Sequence, residues 1–101
     1  MSEDEIRELI TRRRRQVLVH SIIYYELDDC ITSDHQWQDW ADELAKLQEQ
    51  YPDIAESCIY ADAFQGFDGS SGYHLPLRDP WGLNKARQLI AWRDARAKGE
   101  R

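Results

Sequence analysis

The sequence predicts an all-α fold, and three observations carry that prediction. Two serine capping signatures, Ser2 with Glu5 and Ser33 with Gln36, each open a segment whose apolar residues recur at helical period. An Asp79-Pro80 pair supplies an N-cap and a first-turn proline for a further helix. The 101 residues fit one domain, 1–101, with a modest core in which single large side chains matter.

The first helix starts at Ser2. Ile6, Leu9, Ile10, Val17 and Tyr24 fall on one narrow stripe at ~100° per residue. From Val17 to Tyr25 the helix is apolar nearly all round, with Leu18, Val19, Ile22 and Ile23 off the stripe, which predicts a half-helix buried between two partners. Asp28 to Thr32 breaks the period and reads as a connector. In the second helix Trp37, Trp40, Ala41, Leu44, Leu47 and Tyr51 share a ~120° face, and Pro52 closes it. The expectation is an antiparallel helical hairpin over 2–52, with a short helical piece in 53–59. Residues 60–78 hold Gly66, Asp68-Gly69, Ser70-Ser71-Gly72 and Pro76 among the aromatics Tyr60, Phe64, Phe67 and Tyr73. They read as an ordered, aromatic-pinned loop with a short hairpin about Asp68–Gly72. A C-terminal helix is expected over 80–97.

Composition narrows the function classes. Apolar residues make up 42% and charged residues 32%, as in a globular chain. No run approaches the ~18 apolar residues of a membrane span, and the acidic N-terminus does not read as a signal peptide. Cys30 and Cys58 match no metal-ligand spacing and read as free thiols, which places the protein in the cytoplasm. The net charge of −6 is unevenly spread: residues 28–62 carry ten acids against Lys46 alone, net −9, and residues 63–101 are net +3. The acidic stretch is a solvated helix face or a patch for a basic partner. Direct nucleic-acid binding is disfavoured, because it rests on neutralising phosphates.

The informative motif is His20-Ser-Ile-Ile-Tyr24-Tyr25, followed by Asp28-Asp29, Ser33-Asp34, Trp37, and Glu43-Leu44 through Tyr51-Pro52. Over residues 7–54, about half the chain, this order resembles the small N-terminal domain of bacterial NAD-dependent DNA ligase. That resemblance implies a helical hairpin that grips the nicotinamide mononucleotide half of NAD. It makes His20, Tyr24, Tyr25, Asp34, Trp37 and Gln38 the candidate ligand residues. Tyr24 and Tyr25 would be the aromatic pair and Asp34 the carboxylate of the Ser-Asp step. Stacking on the nicotinamide ring and hydrogen bonds to ribose hydroxyls suit those residue types. Two positions depart from the family: Trp37 stands for a tyrosine and Gln38 for a second aspartate. Tyr24 and Trp37 also lie on apolar faces, so a core role stands beside the ligand role. The implied ligand is NMN or NAD, weakly bound.

Ligase chemistry itself is excluded on sequence. Adenylation needs a lysine in Lys-x-Asp-Gly, and neither Lys46, Lys85 nor Lys98 precedes Asp-Gly at that spacing. With Phe67-Asp68-Gly69-Ser70-Ser71-Gly72 and Asp79-Pro80, the chain also resembles small ligase-related proteins encoded by phages of Gram-positive bacteria.

The remaining constellations read as follows. Arg12 to Arg15 spread around the helix through ~300°, Glu8 can pair with Arg12, and Arg13 can lay its stem on the apolar stripe, so a salt-bridged solvated helix is expected. His20, one turn before Tyr24, suits a hydrogen bond inside the hairpin. His20, His35 and His74 share no metal spacing, and no metal site is expected. The Asp68–Gly72 glycines lack the strand and helix that would make them a phosphate loop. In the C-terminal helix Trp81 and Trp92, with Lys85 and Gln88, point away from Leu83, Ala86, Leu89 and Ile90; they are a second buried face or a partner anchor.

Three functions follow as expectations. The first is a non-catalytic, phage-type interaction protein whose old ligand surface docks on a host protein such as a ligase, nuclease or NAD-consuming defence enzyme, a reading that Trp81 and Trp92, with Lys85 beside them, favour as partner anchors. The second is a nicotinamide-nucleotide module. The third is an acidic mimic of nucleic acid presenting Asp28, Asp29, Asp39, Asp42 and Glu43.

Overall fold

A computed structural model describes residues 1–99. Four helices, α1 (Glu3–Tyr25), α2 (Asp34–Gln50), α3 (Pro52–Ser57) and α4 (Pro80–Gly99), make an all-α fold with no strand among the described residues. The Ser2 capping box closes in both directions, Glu5 N to Ser2 Oγ and Ser2 N to Glu5 Oε1, each 3.2 Å. At α2 only half of the expected box forms: Gln36 N donates to Ser33 Oγ at 3.1 Å, and the described residues show no return bond from Gln36. Asp79 caps α4 as its position predicts, its Oδ2 accepting from Gly82 N at 2.9 Å.

Contacts between α1 and α2 pair early residues of one with late residues of the other: Arg14 with Gln48, His20 with Trp40, and Ser21 with Trp37. The two helices are therefore antiparallel. Ile6, Ile10, Val17, Leu18, Ile22 and Ile23 of α1 meet Ala41, Leu44 and Leu47 of α2 in one core. The off-stripe residues of α1 are buried because α4 covers their side, seated so closely at Gly82 that a Cβ there would come within 2.5 Å of Ile22 Cδ1.

Residues 58–79 have no regular structure, yet Phe64, Phe67 and Leu75 are buried. Phe64 and Phe67 meet edge to face at 5.2 Å, and Gln48 Nε2 donates to Phe64 O at 3.1 Å. Tyr60, held at φ +67°, donates its hydroxyl to Asp79 Oδ2 at 2.8 Å and so ties the loop to the start of α4. The short hairpin expected about Asp68–Gly72 does not form. Side chains take the backbone donors that a ladder would use: Ser70 N goes to Asp68 Oδ1 at 2.9 Å and Tyr73 N to Ser71 Oγ at 3.2 Å.

The arginine run is also not uniformly solvated. Arg12 pairs with Glu8, and Arg13 with Glu43, but Arg14 is buried to 2% exposure. Its Nε donates to Gln48 Oε1 at 2.9 Å, and its Nη1 to the carbonyls of Ala55 (2.9 Å), Cys58 (3.3 Å) and Ile59 (3.0 Å). Burial lowers the pKa of this guanidinium, which nonetheless stays protonated at any ordinary pH. Arg14→Ala should therefore cost about 3 kcal/mol or more, by loss of charge-assisted bonds, stranding of the carbonyls and opening of a void. Arg14→Lys should recover little, having no fork to span the acceptors. Urea midpoints check both.

Past the end of α1, Arg93 of α4 grips Asp29 with two 2.9 Å bonds and also donates to Cys30 O at 3.1 Å. The Arg93 bonds, aided by Cys30 N, hold the Asp29 carboxyl down at about 2. A depressed carboxyl contributes stability above its unfolded value, near 4, and loses it as the pH falls towards 2. Tyr60 behaves oppositely: burial and then the Asp79 bond push it up to about 12, so its contribution is lost as the pH climbs from ~10 to 12. Thermal melts across both windows should show wild type losing more stability on acidification than Asp29→Asn, and more at the alkaline end than Tyr60→Phe.

Candidate functional site

The C-terminal turn of α1, the N-terminus of α2 and the loop at Ser70-Ser71 enclose a cavity of about 240 Å³. His20, Tyr24, Tyr25, Asp34, Trp37 and Gln38 all line it. The structure thus brings every sequence-predicted ligand residue to one place. The volume is below the range of about 300–1,000 Å³ usual for sites that hold a drug-sized ligand.

The aromatic pair is not core. Tyr24 is 56% and Tyr25 40% exposed, although Ile22 and Ile23 of the same last turn of α1 are fully buried. Their rings meet edge to face at 4.9 Å, and Tyr25 meets Tyr73 of the loop at 5.5 Å, which leaves ring faces at the rim. Trp37 is half-buried and does both jobs: it packs on the core, and its Nε1 donates to the buried Ser21 Oγ at 3.2 Å. Gly72 presses on that same pair, since a Cβ there would overlap Ser21 Oγ and come within 3.3 Å of Trp37 Cζ2. A glycine at this point fixes the indole by close approach.

Gln38, where the resemblance expects an aspartate, spends its amide on the scaffold. Nε2 donates to Gly69 O at 2.8 Å and to Asp42 Oδ1 at 2.9 Å, pinning the loop over the cavity. Asp34 sits in the first turn of α2, exposed, with no hydrogen bond or ion pair among the described residues. His20 corrects an expectation. Its Nδ1 is shielded from solvent and has no partner, while its ring lies 5.3 Å from Trp40. Burial lowers its pKa, so the ring is neutral at pH 7.

Sequence reasoning missed Ser21, Cys30, Thr32, Ser33, Ser70 and Ser71, which complete the lining. The one signal was Gly72 after two serines, a small residue where two backbones meet. The free thiols are as expected, Cys30 exposed at the cavity and Cys58 buried.

The partner candidates lie elsewhere. Trp81 and Trp92 are 42% and 60% exposed, so they do not form a second buried face. Trp81 lines an open groove of about 620 Å³ between α1 and α4, with Arg12, Arg15, Lys85 and Leu89. The Arg15 guanidinium lies 5.1 Å over Trp81, and Arg96 5.0 Å over Trp92. Trp92 lies about three turns further along the same stripe, outside the groove. The acids of the 28–62 stretch are partly engaged: Asp29 with Arg93, Glu43 with Arg13, Asp42 with Gln38, and Asp39 3.5 Å from His35. Among the described residues no three His, Cys, Asp or Glu side chains converge to hold a metal, and no helix is long and apolar enough to cross a membrane. Comparison with protein-family models, with curated proteins and with solved structures found no match for this chain.

Proposed function

We propose that this chain is a non-catalytic module that binds the nicotinamide-ribose end of a nicotinamide nucleotide. One observation carries the reading: the four residues that match the ligase cap, His20, Tyr24, Tyr25 and Asp34, and the two that depart from it, Trp37 and Gln38, are drawn from two helices and line a single cavity. The exposed faces of Tyr24 and Tyr25 suit a flat, electron-poor ring, and the unpaired Asp34 carboxylate suits ribose hydroxyls. No lysine lines the cavity, which supports a binding role over nucleotidyl transfer. An open half-site should bind NMN with a Kd on the order of 1 mM, ~−4 kcal/mol. Saturating NMN should shift the NMR signals of Tyr24, Tyr25 and Asp34 and slow alkylation of Cys30, with Asp34→Ala abolishing both effects in a folded protein. An unchanged Cys30 rate with silent cavity signals at millimolar NMN, and equally at millimolar nicotinamide riboside, would sink the reading.

A second reading is favoured by the exposure of Trp81 and Trp92 beside Arg15, Lys85 and Arg96. On this reading the stripe docks on an acidic surface of a host protein, in the manner of a phage-type regulator, since Trp anchors and cationic flanks recur at interface hot spots. Wild type should then capture one protein from a Gram-positive bacterial lysate, and Trp92→Ala should weaken the complex by about 2 kcal/mol or more. Capture that is indifferent to both Trp81→Ala and Trp92→Ala would remove this surface.

A further inference from the structure

The cavity has aromatic faces and a carboxylate but no cation. Its lining contains one charged side chain, Asp34, and no Lys or Arg. His20, the other titratable base, is kept neutral by burial. Arg93 reaches the cavity's edge only through its bond to Cys30 O, and its charge is taken up by Asp29 and Asp94.

Several of the nearby backbone donors are already taken. Ser33 Oγ already takes Gln36 N at the start of α2, and Asp34 occupies that first turn, where an anion would otherwise be welcome. In the loop, Ser70 N and Tyr73 N are satisfied by Asp68 and Ser71. Asp34, the one carboxylate of the lining, has no hydrogen bond or ion pair among the described residues to offset its charge. A phosphomonoester would bring about two further negative charges into this field. A ring that is itself positive gains on every count: it faces Tyr24, Tyr25 and Trp37, and it faces Asp34.

We infer that the cavity selects a positively charged, phosphate-free pyridinium, such as that of nicotinamide riboside, over the phosphorylated nucleotide. The inference rests on the nicotinamide reading of this same site and names which form of the ligand it takes.

The test compares four probes by NMR titration of the full chain at low salt: nicotinamide riboside, NMN, 1-methylnicotinamide and neutral nicotinamide. Nicotinamide riboside should bind at least about tenfold more tightly than NMN, and the gap should narrow as salt rises towards 1 M and the Debye length falls to ~3 Å. 1-Methylnicotinamide should likewise exceed nicotinamide. Asp34→Asn and Tyr24→Leu, both at exposed positions, should each shrink the advantage of the charged ring. NMN binding as tightly as the riboside, with the same residues shifting, overturns the charge selection and leaves the nicotinamide reading standing. Silence from all four probes at millimolar concentration overturns both.

Discussion

The fold hangs on a buried guanidinium that has no carboxylate partner. Arg14 is matched instead by four neutral oxygens, one from α2 and three from the end of α3 and the chain beyond it. Taking the charge out of water is costly, and several oriented dipoles offset that cost where one carboxylate would do so by Coulomb attraction. The C-terminal carbonyls of a helix carry the negative end of its dipole, so α3, only six residues long, presents acceptors where Arg14 needs them. Arg14 also lies 5.8 Å from the Phe64 ring, and Gln48, one of its partners, donates to Phe64 O. One side chain thus sets α1, α2, α3 and the start of the loop against each other.

That arrangement reaches the cavity at the other end of the hairpin. The loop is anchored at Phe64 by the Arg14–Gln48 pair, at Gly69 by Gln38, and at its exit by Tyr60 on Asp79. Between these ties it delivers Ser70 and Ser71 to the cavity and Gly72 to the Ser21–Trp37 contact. A segment with no ladder or helix of its own is ordered by what its backbone bonds to. Gln38 is best understood in this light. An aspartate there could not donate to Gly69 O and would face Asp42, so the departure from the ligase pattern is the residue that keeps the loop in place.

The helices were legible because their signals are local. The α2 stripe, the Ser2–Glu5 box and Asp79-Pro80 each depend on residues within a turn or two. Arg14 was not legible, since four arginines in succession look alike until the carbonyls of Ala55, Cys58 and Ile59, some forty residues on, single one out. Tyr24 misled in the other direction: it continues the stripe of Ile6, Ile10 and Val17, but the layer that buries Ile22 and Ile23 does not reach over it. Periodicity tells which way a side chain points, not whether anything lies opposite. The cavity positions came from the resemblance alone. The serines that complete the lining carry no periodic signal, and the hairpin expected in the loop failed because side-chain oxygens outcompeted a ladder.

Charge counted along the chain is likewise a coarse guide to charge in space. The acidic middle suggests a broad negative surface, yet Asp29 and Glu43 are spent on guanidiniums and Asp42 on an amide. Asp34 makes no such bond, and it is the carboxylate that lines the cavity. The basic side chains are distributed by the same logic. Arg12, Arg13 and Arg93 are paired, Arg14 is internal, and Arg15 and Lys85 lie along the α1–α4 groove with Trp81. The two concave surfaces therefore differ in charge although His20 lines both: the cavity holds Asp34 as its one carboxylate, whereas the groove sets Arg7, Arg12, Arg15 and Lys85 against Asp4 and Glu8.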